Sequence, residues 1–105
     1  MKLAALCDMD TAVGLRLAGV NNLFIPKDNP ASLFQQVIQN RDIGVLFITE
    51  PIAANLGKPL REFRLHNHIP IIVELPDKKG SDAEKIDFIS HIIKRAVGID
   101  ISKKG

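Results

Sequence analysis

Asp42-Ile43-Gly44-Val45-Leu46-Phe47-Ile48-Thr49-Glu50 is the stretch on which the fold turns. Its centre is an almost unbroken run of β-branched, aliphatic and aromatic residues. A strand buried on both faces of a parallel sheet reads this way, because neither face is left for polar side chains. The polar Asn40 to Asp42 fits a helix end turning into the strand. Thr49-Glu50-Pro51 carries a helix-entry signature, with Thr49 placed to cap and Pro51 near the first turn. A helix is therefore expected before the strand and another after it.

Moving outward toward the N-terminus, Leu3 to Cys7 is a second short apolar run, ending at Asp8. Beyond it Val13 and Leu17 stand four apart, as do Gly14 and Ala18, and Asp10 or Thr11 is positioned as an N-cap. This predicts a short helix closed by Gly19, with two small residues where the backbone approaches a neighbour. Asn21-Asn22 signals a turn, and Leu23-Phe24-Ile25, stopped by Pro26, reads as a short edge strand. Asn29-Pro30 opens the next helix, with Leu33, Phe34, Val37 and Ile38 facing inward.

On the C-terminal side Ile52, Leu56, Leu60 and Phe63 keep helical spacing, but Gly57 and Pro59 interrupt the ladder and predict a kinked or split segment. Ile69 to Pro76 reads as the last strand, followed by a polar loop. A helix from about Asp82 to Val97 follows, carrying Ile86, Ile89, Ile93, Ala96 and Val97, with Gly98 to terminate it and Ile99 to Gly105 as a tail. Four strands alternating with four helices predict an α/β fold. The expected form is a small doubly wound, flavodoxin- or receiver-like parallel sheet in the order 2-1-3-4, with helices on both faces. One domain spanning 1–105 is expected, with 1–80 as the α/β core and 81–105 as a C-terminal helix and partly mobile tail.

The 105 residues carry 14 basic and 12 acidic side chains dispersed along the chain, so no basic stripe points to nucleic acid. A single cysteine, Cys7, excludes an internal disulfide and fits packing in a reducing cytoplasm. Met1-Lys2-Leu3 is not followed by a long h-region with a cleavage site, so no secretory leader is expected. No apolar run approaches the ~20 residues that span a bilayer, so a soluble chain without direct membrane insertion is expected.

Open α/β sheets place ligands at the carboxyl ends of their strands. Asp8, Asp10, Thr49, Glu50, Glu74 and Asp77 fall there. Gathered carboxylates there would bind Mg²⁺, as a phospho-accepting receiver requires. Such a domain needs an aspartate where Thr49 stands and a lysine where Leu75 stands, with Lys78 only in the loop beyond. Capping or solvated acids are the better reading. Neither GxGxxG nor GxxxxGK[ST] occurs, and His66 and His68 sit in a polar connector without a third ligand. His91 lies off the apolar stripe of its helix. No nucleophile has a matched base, so no catalytic, cofactor or metal residue is assigned.

Asp8-Met9-Asp10-Thr11 followed by Gly14-Leu15-Arg16-Leu17-Ala18-Gly19 resembles the N-terminal signature of the F subunit of the V-type and archaeal A-type rotary ATPases, T-x-x-G-[FL]-R-L-A-G. Asp42 to Glu50, Pro70 to Pro76, and Arg95 to Ile101 resemble three further blocks of that family, in the same order. Leu15, where phenylalanine is frequent, is a mild departure. The resemblance implies a non-catalytic rotor component, cytoplasmic and peripheral on the membrane, that binds the coiled-coil D subunit of the central stalk. Its C-terminal segment would reach the A and B subunits of the catalytic head. On that reading Arg16, Lys94, Arg95, Ile99, Ile101, Lys103 and Lys104 are the candidate partner-binding residues. A receiver-like signalling module and a small α/β enzyme are the alternatives.

Overall fold

The computed structural model describes residues 2–76 together with His91. The central strand, β3 (Ile43–Thr49), is buried at every one of its seven positions. On one side it pairs in parallel with β1 (Lys2–Leu6), which in turn pairs with β2 (Asn22–Phe24); on the other it pairs with β4 (Ile71–Leu75). All pairings are parallel, and the four-stranded sheet runs β2-β1-β3-β4. This is the α/β architecture and strand order expected from the sequence.

Alternation along the strands divides the apolar residues between two cores. Ala4, Leu6, Leu46 and Ile48 face one side, while Ala5, Cys7, Val45 and Phe47 face the other. The alternation breaks at the start of β3. Lys2 pairs with Ile43 but Leu3 pairs with Val45, so one extra residue is accommodated and Ile43 turns to the same face as Leu46 and Ile48.

Among the described residues, one face is covered by α2 (Pro30–Ile38), α3 (Glu50–Leu56) and α4 (Lys58–His66), which contribute Phe34, Val37, Ala53, Leu56 and Leu60. The rings of Phe34 and Phe63 meet edge to face at 5.7 Å, locking α2 to α4. The other face is covered by α1 (Met9–Leu17), through Ala12 and Leu15. Asn29 caps α2 as the sequence predicts: its side chain accepts from the Ala31 N–H at 2.9 Å, and Pro30 takes the first turn.

The expected irregular third helix is two helices. Gly57 sits between them at φ +58°, a left-handed conformation that other residues adopt only at a cost, and Pro59 starts the next first turn. The predicted C-terminal helix and tail, apart from His91, lie outside the described residues.

Candidate functional site

The N-cap of α1 is Asp8, not Asp10 or Thr11. Its carboxylate accepts from the Thr11 backbone N–H (3.1 Å) and from the Thr11 hydroxyl (2.7 Å). Asp8 wins because it is the last residue with extended backbone, so its side chain alone can reach the free N–H groups of the first turn. Partial burial by itself would raise the Asp8 pKa; the hydrogen bonds from the Thr11 hydroxyl and from backbone N–H groups outweigh it and hold the carboxyl below its usual range. The acid at the end of β1 is therefore committed to a cap.

The end of β3 differs from its expectation too. Thr49 occupies the N-cap position of α3 but makes no capping hydrogen bond through its side chain, and it is buried. α3 begins without a side-chain cap, with Glu50 and Pro51 in its first turn. A receiver-type phospho-acceptor is not favoured by a buried threonine at this position.

At the end of β4, Glu74 accepts from Arg64 Nη1 at 2.9 Å, and Arg64 Nη2 lies 3.5 Å from the Ile72 carbonyl. Both side chains keep about two fifths of their surface in water, at 42% and 38%. The pair therefore clips α4 to β4 without much stabilisation, on the order of 1 kcal/mol or less. It lies beside an open cavity of about 370 Å³ bordered by Glu50, Ala53, Gly57, Leu60 and Arg61. Arg64 and Glu74 also line it, paired with each other, and no Ser, Thr or Cys is among its lining residues. A second opening of about 580 Å³ at the far end of the sheet, between Ile38, Ile43, Phe63, Asn67 and Pro70, is walled mainly by apolar and amide groups.

Among the described residues no three His, Cys, Asp or Glu side chains come together as a metal-binding group. His66, His68 and His91 are exposed. Cys7 is fully buried at the end of β1. Burial first, and the adjacent Asp8 charge second, push its thiol up to about 12, so it stays protonated and unreactive at neutral pH. No described helix is long and apolar enough to cross a membrane.

Of the predicted partner-binding residues, Arg16 is in the last turn of α1 and exposed. Lys94, Arg95, Ile99, Ile101, Lys103 and Lys104 lie outside the described residues. The structure brings Arg16 together with a feature the sequence reading missed. Val13 and Leu17 are the outer side of α1, not its buried side. With Met9 they are 55%, 66% and 63% exposed, whereas Ala12, Gly14 and Leu15 are buried. The i, i+4 spacing of Val13 and Leu17 is legible in the sequence, but in a helix with apolar residues on both sides spacing alone does not say which side faces in.

α1 is fixed at both ends, so this outer side is presented rigidly. At its C-terminus Gly19 adopts φ +106°, its N–H donates to the Arg16 carbonyl (3.1 Å), and the Val20 N–H donates to the Leu15 carbonyl (2.9 Å). This is a Schellman closure, completed by burial of Leu15 and Val20 in one core. Capped, closed and seated on the sheet, α1 holds Met9, Val13 and Leu17 on its outer side.

A family profile described as ATP synthase (F/14-kDa) subunit matches residues 3–93. The F subunit of the A-type ATP synthase of Thermococcus onnurineus is 33% identical over 109 aligned positions, covering 98% of this chain and all of the relative. Those of Methanocaldococcus jannaschii and Methanococcus vannielii are 32% and 34% identical over 103 positions, covering 96% of this chain and 99% of each relative. A match over this much of the chain, together with relatives aligned along nearly their whole length, places it: the chain belongs to the family of ATP synthase (F/14-kDa) subunits.

Proposed function

We propose that the chain is a non-catalytic central-stalk component of a V/A-type ion-translocating ATPase or ATP synthase. It binds the coiled-coil D subunit of the stalk and turns with it. The observation that carries this reading is the end-to-end likeness to A-type ATP synthase F subunits. The described residues support it: Asp8 and Glu74 are spent on a cap and an ion pair, the cysteine is buried, and one capped helix presents apolar side chains outward. The chain acts by contact, from the cytoplasmic side of the membrane, as a peripheral part of the complex. The segment from 81 to 105 reaches the A and B subunits of the catalytic head. There Ile99 and Ile101, with Lys94, Arg95, Lys103 and Lys104, meet an apolar and acidic surface.

Co-purification tests the assignment. The intact chain is expected to associate at micromolar concentration with the coiled-coil stalk protein; failure to do so overturns it. Deleting Gly98–Gly105 is expected to leave a folded chain that still binds the stalk but changes ATP hydrolysis by the reconstituted complex. Turnover equal to that of the intact chain at every ATP concentration, with full incorporation, removes the regulatory role of the tail.

A further inference from the structure

We infer that the outward ridge of α1 (Met9, Val13 and Leu17, with Arg16 on its flank) is the surface that docks on the stalk. Its occupant is an apolar strip along one α-helix, bordered by carboxylates on the side that meets Arg16. The inference rests on the rotor reading above and adds to it the face by which the partner is held.

The ridge is continuous. At about 100° per residue, steps of four drift by only roughly 40°, so the three side chains fall within an arc of about 80° and extend over two turns, about 12 Å. Arg16 lies on one flank of that arc and Asp10 on the other, both exposed. The centre of the outermost side of α1 is thus apolar, and the charges stand at its margins. A free-standing domain has the opposite arrangement on a surface helix.

The shape selects the partner class. Three apolar side chains in line along one helix fit the groove between side-chain rows of another helix. The charge selects its flank. Arg16 makes no ion pair among the described residues, and its position on α1, three residues after Val13 and next to Leu17, puts it on the flank of the ridge, where a carboxylate on the partner would meet it as the apolar strip seats.

Among the described residues the other exposed large apolar side chains, Ile25, Leu65, Ile69 and Ile71, include no three in line along one helix. Leu65 on α4 is 79% exposed but has Arg61 and Glu62 one turn before it, so it stands alone. It makes a matched control.

The test is calorimetric titration of the purified coiled-coil stalk protein with the full chain and three variants, with a thermal melt of each and of Val13→Ser. Val13→Glu with Leu17→Glu is expected to bind at least about 30-fold more weakly while melting like the parent chain. Leu65→Glu is expected to bind like the parent. Arg16→Glu is expected to bind more weakly at low salt and to lose most of that difference at ~1 M salt. If the parent binds and the double variant binds within about threefold of it, the ridge is not the docking surface and the inference fails while the rotor assignment stands. A substantially lower melting midpoint for the double variant, with Val13→Ser doing the same, places the chain's own residues over the ridge and overturns the inference as well. If the parent itself does not bind, the rotor assignment fails and takes the inference with it.

Discussion

Two helices of equal length, α1 and α2, lie on opposite faces of the same sheet and are finished differently. α2 buries Phe34 and Val37 and shows Ser32, Gln35 and Gln36 to water. α1 buries Ala12, Gly14 and Leu15, all small or medium-sized, and shows Met9, Val13 and Leu17. The larger side chains of α2 are spent on its own core; those of α1 largely point away from it. A helix of the first kind is complete within the domain, and one of the second kind has been left with a side for something else to cover. The contrast separates the helix whose larger side chains serve the core from the one whose apolar side chains stand in water.

The largest expected effect breaks the contrast if it fails to appear. Phe34→Ala on the α2 face and Phe47→Ala on the α1 face should each cost about 3 to 5 kcal/mol in urea unfolding, since both rings are fully buried. Val13→Ala, on the outer side of α1, should fall within about 0.5 kcal/mol of the parent. A cost for Val13→Ala comparable with that for Phe34→Ala would mean that α1 is inward on both sides.

The closure of α1 gives a middle-sized effect. A Cβ at Gly19 would meet nothing within 4 Å, so the cost of Gly19→Ala is conformational and should be about 1 to 2 kcal/mol. Loss well beyond that would indicate that α1 depends on Gly19 for more than its backbone angle. Asp8→Ala should cost about 1 kcal/mol at neutral pH through loss of the cap. The folded-state pKa of Asp8 lies below its unfolded value, so its contribution is present above the unfolded value and disappears as pH falls through the folded one. Stability curves of the parent and Asp8→Ala chains should therefore converge in acid.

Cys7 sharpens the comparison from the alkaline side. Its thiol is raised from about 9 to about 12, so between those values the unfolded chain loses a proton that the folded chain keeps, and stability should fall as pH rises through that window. Cys7→Ala should flatten the fall, and a thiol reagent at pH 8 should label the parent only as it unfolds. Prompt labelling of the folded chain would show that the α1 face opens around Cys7.

Much of this fold can be read from the chain because local and tertiary preferences agree. β3 is apolar at consecutive positions and buried at all of them. Asn29-Pro30 both caps and starts α2, and Gly57 breaks the third helix where its φ demands glycine. Legibility ends where two local solutions are equivalent. Asp8, Asp10 and Thr11 are all good caps, and only the point at which β1 ends decides for Asp8. Thr49 has the right residue type and position to cap, yet it is buried and does not. The Arg64–Glu74 pair joins residues on α4 and β4 that meet only once the strand lies in register, so neither sequence spacing nor residue type announces it. Of the candidate surface, the sequence proposes Arg16, which stands exposed on α1, whereas the outward side of α1 required the sheet beneath it.

The order of the strands also sets a timetable for synthesis. β1 emerges first, but its longest pairing is with β3, where Leu6 meets Ile48, and β2 offers it only the short register from Ala4 to Leu6. Until β3 has left the ribosome, the apolar β1 has one exposed edge and the inner side of α1 has only half a floor. At about 5 to 20 residues per second the wait lasts seconds, long compared with helix formation. The nascent chain thus passes through a stage in which both sides of α1 are open to water, and a helix that retains one apolar side after folding begins with two.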